Sequence, residues 1–359
     1  MKRILSIAVI ILMISGVQKT VFAQGEAAVP FLLISPGASY GALGEAGVAY
    51  ANDANAVFWN PSGLAFQYEN PETDKPGQVT FMHAKWLPQF NFSDLFYEYA
   101  AGRYYIEGIG MLGASITFLN LGQNVWTDEQ GNELGTFDSF EWAATVSYAT
   151  KIIENVAIGV NAKFIQSNLS NVNVGAENQD GSASSFAVDV STTWIPNADL
   201  LNNRLRLGLN ISNIGPKISY IDDKQADPLP TNFKVGLAYR IFDDEFNKLT
   251  FVYDINKLMV VKDSTGASDN VLKALFYSAW AEGSWTDLTH SLGLEYWYGD
   301  LIALRAGWFY EDPNNGGRTF YTFGAGIKYS IFGVDFAYIA GDDDSPLSGT
   351  MRFSLAVSF

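Results

Sequence analysis

Two short stretches of the sequence have the spacing of known chemistry. Gly37-Ala38-Ser39-Tyr40-Gly41 spells a nucleophile elbow, in which a serine on a tight strand-to-helix turn is activated by an imidazole. The chain has only two histidines, His83 and His290, so the enzyme reading is a barrel lipase with Ser39 as nucleophile and one of them as base. Gly108-Ile109-Gly110-Met111-Leu112-Gly113 matches the dinucleotide fingerprint, which needs a helix to follow so that its N-terminus meets pyrophosphate. Ala114 to Phe118 continues as a strand instead, and the glycines read as slim wall or turn positions. The acidic groups Asp222-Asp223, Asp243-Asp244-Glu245 and Asp342-Asp343-Asp344 lack the spaced oxygens of a dedicated calcium loop. They read as solvated loop or turn charge. On these grounds no catalytic, metal or cofactor residue is expected, and the chain reads as a non-enzyme.

The elements that hold these residues follow from composition and period. In 359 residues there are 22 Lys plus Arg against 38 Asp plus Glu, a formal charge of -16, and no cysteine. Nucleic acid is not a partner for so acidic a chain, because phosphate needs a basic footprint. Aromatics make up 14% of the residues and charged residues only 17%, below the roughly 25% charged of soluble domains. Beyond the N-terminus, apolar runs such as Val29 to Ile34 are too short for a spanning helix, which needs about 20 residues. From residue 79 onward the dominant period is two. Phe140, Trp142, Ala144, Val146 and Tyr148 alternate with Ser139, Glu141, Ala143, Thr145 and Ser147, giving one greasy and one polar face. Aromatics such as Tyr148, Tyr239, Tyr298, Tyr310 and Tyr329 fall at the ends of greasy faces, as in the girdles of a membrane barrel. The chain ends on such a strand, with Phe359 last.

Fourteen strands are expected between residues 79 and 359. Short links fall near Glu107, Glu154, Gly299-Asp300 and Ser330, and long outer loops cover 120 to 137, 168 to 183, 214 to 230 and 259 to 286. Within the last loop, Leu272 to Trp285 reads as a short amphipathic piece. Residues 1 to 23 form a secretory signal peptide, with Lys2 and Arg3 ahead of an apolar run from Ile4 to Ile14 and a cleavage point after Ala23. Residues 24 to 78 obey another rule. They are rich in Gly and Ala, including Gly41, Gly44 and Gly47, and Asn60 before Pro61 reads as a helix N-cap. A fourteen-stranded lumen is too wide for its own side chains to fill, so this segment is expected inside it as a hatch. The fold class is therefore an all-β membrane protein: a fourteen-stranded antiparallel transmembrane β-barrel with an N-terminal hatch. Inward-facing Glu141, Lys163, Lys234, Arg240, Asp254, Glu295, Arg305 and Lys328 make the interior mixed and charged.

The N-terminal block carries a resemblance. Phe31-Leu32-Leu33-Ile34-Ser35-Pro36, Leu43-Gly44-Glu45-Ala46-Gly47-Val48-Ala49, Asp53-Ala54-Asn55-Ala56 and Trp59-Asn60-Pro61-Ser62-Gly63-Leu64-Ala65-Phe66 resemble the PorV/PorQ family of outer-membrane barrels, relatives of the FadL transporters. Late stretches, Ser291 to Tyr298 and Leu304 to Glu311, look like the PorV branch. The resemblance implies an outer-membrane barrel of the type IX secretion system, with Gly41, Gly44, Gly47, Trp59, Asn60 and Pro61 as its hatch motif. It further implies that such a barrel engages a giant translocon barrel, takes up the C-terminal signal domain of secreted cargo and passes it to a sortase-containing attachment complex. Outer-loop residues Trp126, Tyr220, Phe276, Tyr277, Trp280 and Trp285 are the expected partner surface. The other role the superfamily implies is a FadL-like transporter of hydrophobic small molecules. Where the family usually carries arginine after the Pro-x-Ala stretch, this chain has Ser39.

Overall fold

The computed structural model describes residues 27–90, 92, 94–128, 130–174, 179–196, 203–220, 226–262, 267–281, 285–342 and 345–359. The expected signal peptide and the acidic residues Asp222, Asp223, Asp343 and Asp344 lie outside them. Fourteen strands run through the described residues: β1 (Gly77–Lys85), β2 (Phe96–Ile106), β3 (Gly110–Thr127), β4 (Glu133–Ile153), β5 (Val156–Val174), β6 (Gln179–Trp194) and β7 (Leu205–Ile214), then β8 (Asn232–Asp243), β9 (Asn247–Leu258), β10 (Leu288–Tyr298), β11 (Ile302–Glu311), β12 (Thr319–Tyr329), β13 (Phe332–Gly341) and β14 (Met351–Ser358). Each pairs antiparallel with its neighbours, and β14 closes on β1 with Gln78 opposite Ser358 and Ala84 opposite Arg352. Closure leaves the sheet without an edge, the condition for crossing lipid with strands. No helix among the described residues is long and apolar enough to cross a membrane.

The alternation sorts side chains as the period requires. Val146 is 62% exposed on the outer wall while its neighbour Thr145, turned inward, is 6% exposed. Val79, Phe81, Ile116, Leu304, Phe323 and Leu355 join Val146 in an apolar outer band, and Glu141, Lys163, Lys234, Asp254, Glu295 and Arg305 are buried inside. Arg240 and Lys328 stand exposed at one rim. That rim carries tight turns at 107–109, 154–155, 299–301 and 330–331, with Asp300 and Ser330 in left-handed conformations.

At the opposite rim two expected long loops are largely strand. Pairing continues to Thr127 opposite Glu133 and to Val174 opposite Gln179, so 120 to 137 and 168 to 183 form projecting β-hairpins. Once a strand leaves the bilayer both faces meet water. Alternation then fades in stretches such as Asn120 to Asn124, and polar composition imitates a loop although the ladder persists.

The segment from residue 27 to residue 67 lies within the circle of strands as a chain of single turns: Pro30–Leu33, Ala38–Gly41, Ala56–Trp59 and Pro61–Phe66. Its start is at the loop rim, where Ala28 N–H donates to Pro228 O, and Tyr68 reaches the turn rim against Tyr105. The last of these turns is a 3₁₀-helix with Pro61 at its first position and Asn60 as cap, its side chain accepting from Ser62 N–H at 3.1 Å.

Candidate functional site

The N-terminal segment packs against the inner wall backbone to backbone. At Gly307 on β11 a Cβ would collide with the Gly44 amide nitrogen, and one at Gly44, which has φ 67°, would lie 2.6 Å from the Trp308 nitrogen and 2.7 Å from the Leu292 carbonyl. Gly159 on β5 faces Ser62 and Gly208 on β7 faces Val48 in the same way. Bare wall positions thus let the N-terminal segment approach to hydrogen-bond range. Asp254 on β9 accepts from the N–H groups of Gly47 and Val48 at 2.6 and 2.8 Å. Thr322 on β12 accepts from Gly44 N–H at 2.9 Å and donates to Ala42 O at 2.9 Å. The Asn161 and Asn210 amides donate to Val57 O at 2.8 Å and Trp59 O at 3.0 Å. Asn60 donates to Val48 O at 2.7 Å, and Trp59 donates its indole N–H to Pro36 O at 3.0 Å. Gly41, beside Arg352, and Gly47, against the Trp59 ring, have no room for a side chain, and Pro61 is fully enclosed.

Several interior charges are met by opposite charges or by aromatic faces. Arg305 joins Glu295 at 2.5 Å and Asp335 at 2.6 Å, and Tyr50 of the N-terminal segment also donates to Glu295. Lys163 pairs with Asp189 at 3.3 Å, and the Lys234 ammonium sits 5.1 and 5.3 Å from the Phe58 and Trp59 ring centres. The cation that meets Glu45 comes from the far end of the chain. Arg352 on β14 is 1% exposed and donates to Glu45 at 2.6 Å and to Ser35 O at 3.1 Å. Sequence reasoning missed this pair, because Arg352 read simply as one polar residue in an alternating strand. Within the same segment Asp53 accepts from the Tyr40 hydroxyl at 2.9 Å and from Asn55, yet burial pushes its carboxyl above the usual range.

The hydrolase arrangement is not assembled. Ser39 lies inside the wall, whereas both histidines belong to the outward faces of their strands. His83 is 3.3 Å from Glu98 with half of its side chain in the open, and His290 meets the Tyr253 hydroxyl at 2.7 Å. The glycines of 108–113 occupy the β2–β3 turn and the start of β3, with no helix after them. Asp244 accepts from Phe246 and Asn247 of its own turn, and among the described residues no cluster of three or more His, Cys, Asp or Glu could hold a metal.

The expected partner-binding aromatics divide into three places. Tyr220 is half-buried at the lumen mouth, its hydroxyl donating to Ser167 Oγ at 2.9 Å. Trp126 sits on the projecting β3–β4 hairpin, opposite Gly135. Phe276, Tyr277 and Trp280 come together on a helical run of Val271–Lys273, a π-helical turn Ala274–Ser278 and Ala279–Ala281, with Trp285 just beyond. Its buried side is small or aliphatic (Ala274, Leu275, Ser278, Ala279), and its open side holds Leu272, Phe276, Tyr277 and Trp280.

Comparison with known proteins places this geometry. A family model described as "Type IX secretion system protein PorV" matches residues 18–265, more than half of the chain. Among solved structures, the Pseudomonas putida toluene transporter TodX superposes with a TM-score of 0.55 at 13% identity, covering 94% of this chain and 97% of that one. The Ralstonia pickettii toluene transporter TbuX gives 0.50 at 13%, covering 90% and 98%. A Pseudomonas aeruginosa FadL homologue gives 0.50 at 13%, covering 90% and 97%. At such identity the likeness is one of fold: a FadL-like outer-membrane barrel. A comparison with curated proteins finds no match.

Proposed function

The chain belongs to the PorV family of type IX secretion system proteins, and from that premise we propose that it is a cargo shuttle rather than a channel. Residues 24 to 78 act as a fixed hatch, residues 79 to 359 are the barrel, and the work is done outside the lumen. In this reading an export signal over residues 1 to 23 is cleaved after Ala23. The rim of long hairpins and loops faces the cell exterior and the rim of tight turns faces the periplasm, as in bacterial barrels generally. The barrel engages a giant translocon barrel, receives the C-terminal signal domain of a secreted cargo at its outer rim, and delivers it to a sortase-containing attachment complex.

The observation that carries this reading is the backbone-to-backbone filling of the lumen at Gly44 and Gly307. A folded domain cannot enter such a lumen, and a hydrophobic small molecule has no greasy path through the Asp254, Arg305 and Lys163 layers. Function is thereby left to the rim, where loops on a rigid scaffold carry binding. The test is removal of residues 259 to 286, replaced by a short turn, followed by pull-down of secreted cargo from detergent extracts. The reading expects the barrel to keep its heat-modifiable migration and to lose cargo. Cargo capture unchanged by the deletion, together with uptake of an aromatic hydrocarbon that depends on residues 24 to 78, would replace it with the transporter reading.

A further inference from the structure

The helical run after β9 does not stand above the barrel; it bends over the outer wall. On β7, β8 and β9 the lumen-facing positions are the even ones, exemplified by Asn210, Lys234 and Asp254, so Ile211, Phe233, Val235 and Ile255 point outward. Leu275 and Ala279 of the helix nevertheless pack with Met259 against Ile211 and Phe233, and Trp280 meets Phe233 edge to face at 5.3 Å. The seat is built, not incidental. Lys257 is also an outward position, yet it is 5% exposed because the loop covers it, and it pairs with Asp287 at 2.9 Å.

Between this helix and the wall runs a groove of about 450 Å³, with Phe233, Val235, Ile255 and Leu288 as its floor and Trp280 and Trp285 as its roof. That volume lies within the range of small-molecule sites, about 300 to 1,000 Å³. Its floor is continuous with the apolar band that faces lipid. Ile255 stands opposite His290 in the ladder, and His290, Tyr253 and Tyr310 stack side by side as an aromatic belt of the kind found at the headgroup level. Val235 pairs with Ile255 at the level of that belt and Phe233 with Lys257 one step nearer the loop rim, so the groove meets the lipid-facing wall at its Val235–Ile255 end. We propose that it is a lipid site: the loop helix and the β8–β10 wall clasp one acyl chain of an outer-leaflet lipid, with Trp280 and Trp285 closing over it. The inference rests on the membrane-spanning fold and not on the cargo reading. A barrel that binds no cargo would still hold the lipid.

The test uses the full-length chain in cholate, a detergent without an alkyl chain to compete, titrated with a phosphatidylcholine brominated on its acyl chains. Bromine quenches tryptophan on contact, and Trp280 and Trp285 are 48% and 88% exposed. The expected result is quenching that saturates near one lipid per barrel. In the V235F/I255F variant, whose added rings fill the floor, saturation should require at least about tenfold more lipid. Phenylalanine on a lipid-facing wall leaves the fold intact, checked by heat-modifiable migration, and I255F alone serves if the double variant fails that check. Quenching that rises without saturation and identically in both proteins would overturn the proposal. So would a groove that excludes lipid but cross-links, through a photoreactive residue at position 280, to a protein neighbour in the membrane.

Discussion

Replacing Arg352 with Met tests whether the N-terminal segment seals the lumen. The guanidinium is 1% exposed and bridges two points of that segment, the Glu45 carboxylate at 2.6 Å and Ser35 O at 3.1 Å. Methionine keeps most of the volume and removes both bonds. Glu45 would then retain the Ser35 hydroxyl, 3.1 Å away, and the more distant charges of Lys234 and Arg318. Stranding one member of a buried pair costs about 3–5 kcal/mol. The low end applies, since the Glu45 side chain keeps 15% exposure, so about 3 kcal/mol is expected against the seated segment. At 1.4 kcal/mol per tenfold this raises the unseated fraction about 100-fold. Single-channel recording in planar bilayers reads the change directly, as a matching rise in open probability over the wild type. The double variant R352M/E45Q removes the stranded charge and should recover at least about 1 kcal/mol, the coupling expected of residues in contact. An open probability unchanged in R352M, or one raised equally in R352M and in the double variant, would refute the account.

The wall makes its own predictions. Lysine at outward Val146 should destabilise the folded barrel by about 2–4 kcal/mol near the midplane, and lysine at inward Thr145 by much less; urea unfolding in vesicles followed by tryptophan emission measures both, and equal values would mean the faces are misassigned. Alanine at Gly307 should cost about 1–3 kcal/mol of overpacking against Gly44, whereas alanine at Gly333, whose Cβ would meet only the Ala356 methyl at an ordinary 3.6 Å, should be close to neutral in the same assay. Asp53 sets the pH response. Burial raises its carboxyl, so the seated segment favours the protonated form, and the stabilisation present at low pH is lost as pH rises through the folded value. Acidification from neutral should lower leak conductance, and D53N should flatten that dependence; a leak that grows on acidification would contradict it.

Lipid is the reason so much of the fold was legible. A strand crossing a bilayer must present apolar side chains to one side, and from Val146 against Thr145 the faces, strand count and turn positions follow. Above the bilayer that constraint ends, which is why the paired ends of β3 through β6 read as loops. The glycines show a second limit. Gly41, Gly44 and Gly47 were noticeable because they cluster, but Gly159, Gly208 and Gly307 sit singly in strands, where a glycine has no meaning until the chain pressed against it is known.

Long-range pairing explains what stayed hidden in the lumen. Arg352 and Glu45 are 307 residues apart, and no local pattern ties a cation in the last strand to a turn in the first segment. The segment from residue 27 to residue 67 carries no Lys or Arg of its own, so a cation for Glu45 and the Ser35 carbonyl has to come from the wall. Because β14 closes on β1 and its inward residues overhang the start of the segment, a guanidinium at position 352 meets that requirement from the wall. A cation carried within the segment would stabilise the segment alone, while one carried by β14 ties it to the barrel, so here the segment is seated by a side chain of the strand that closes the barrel.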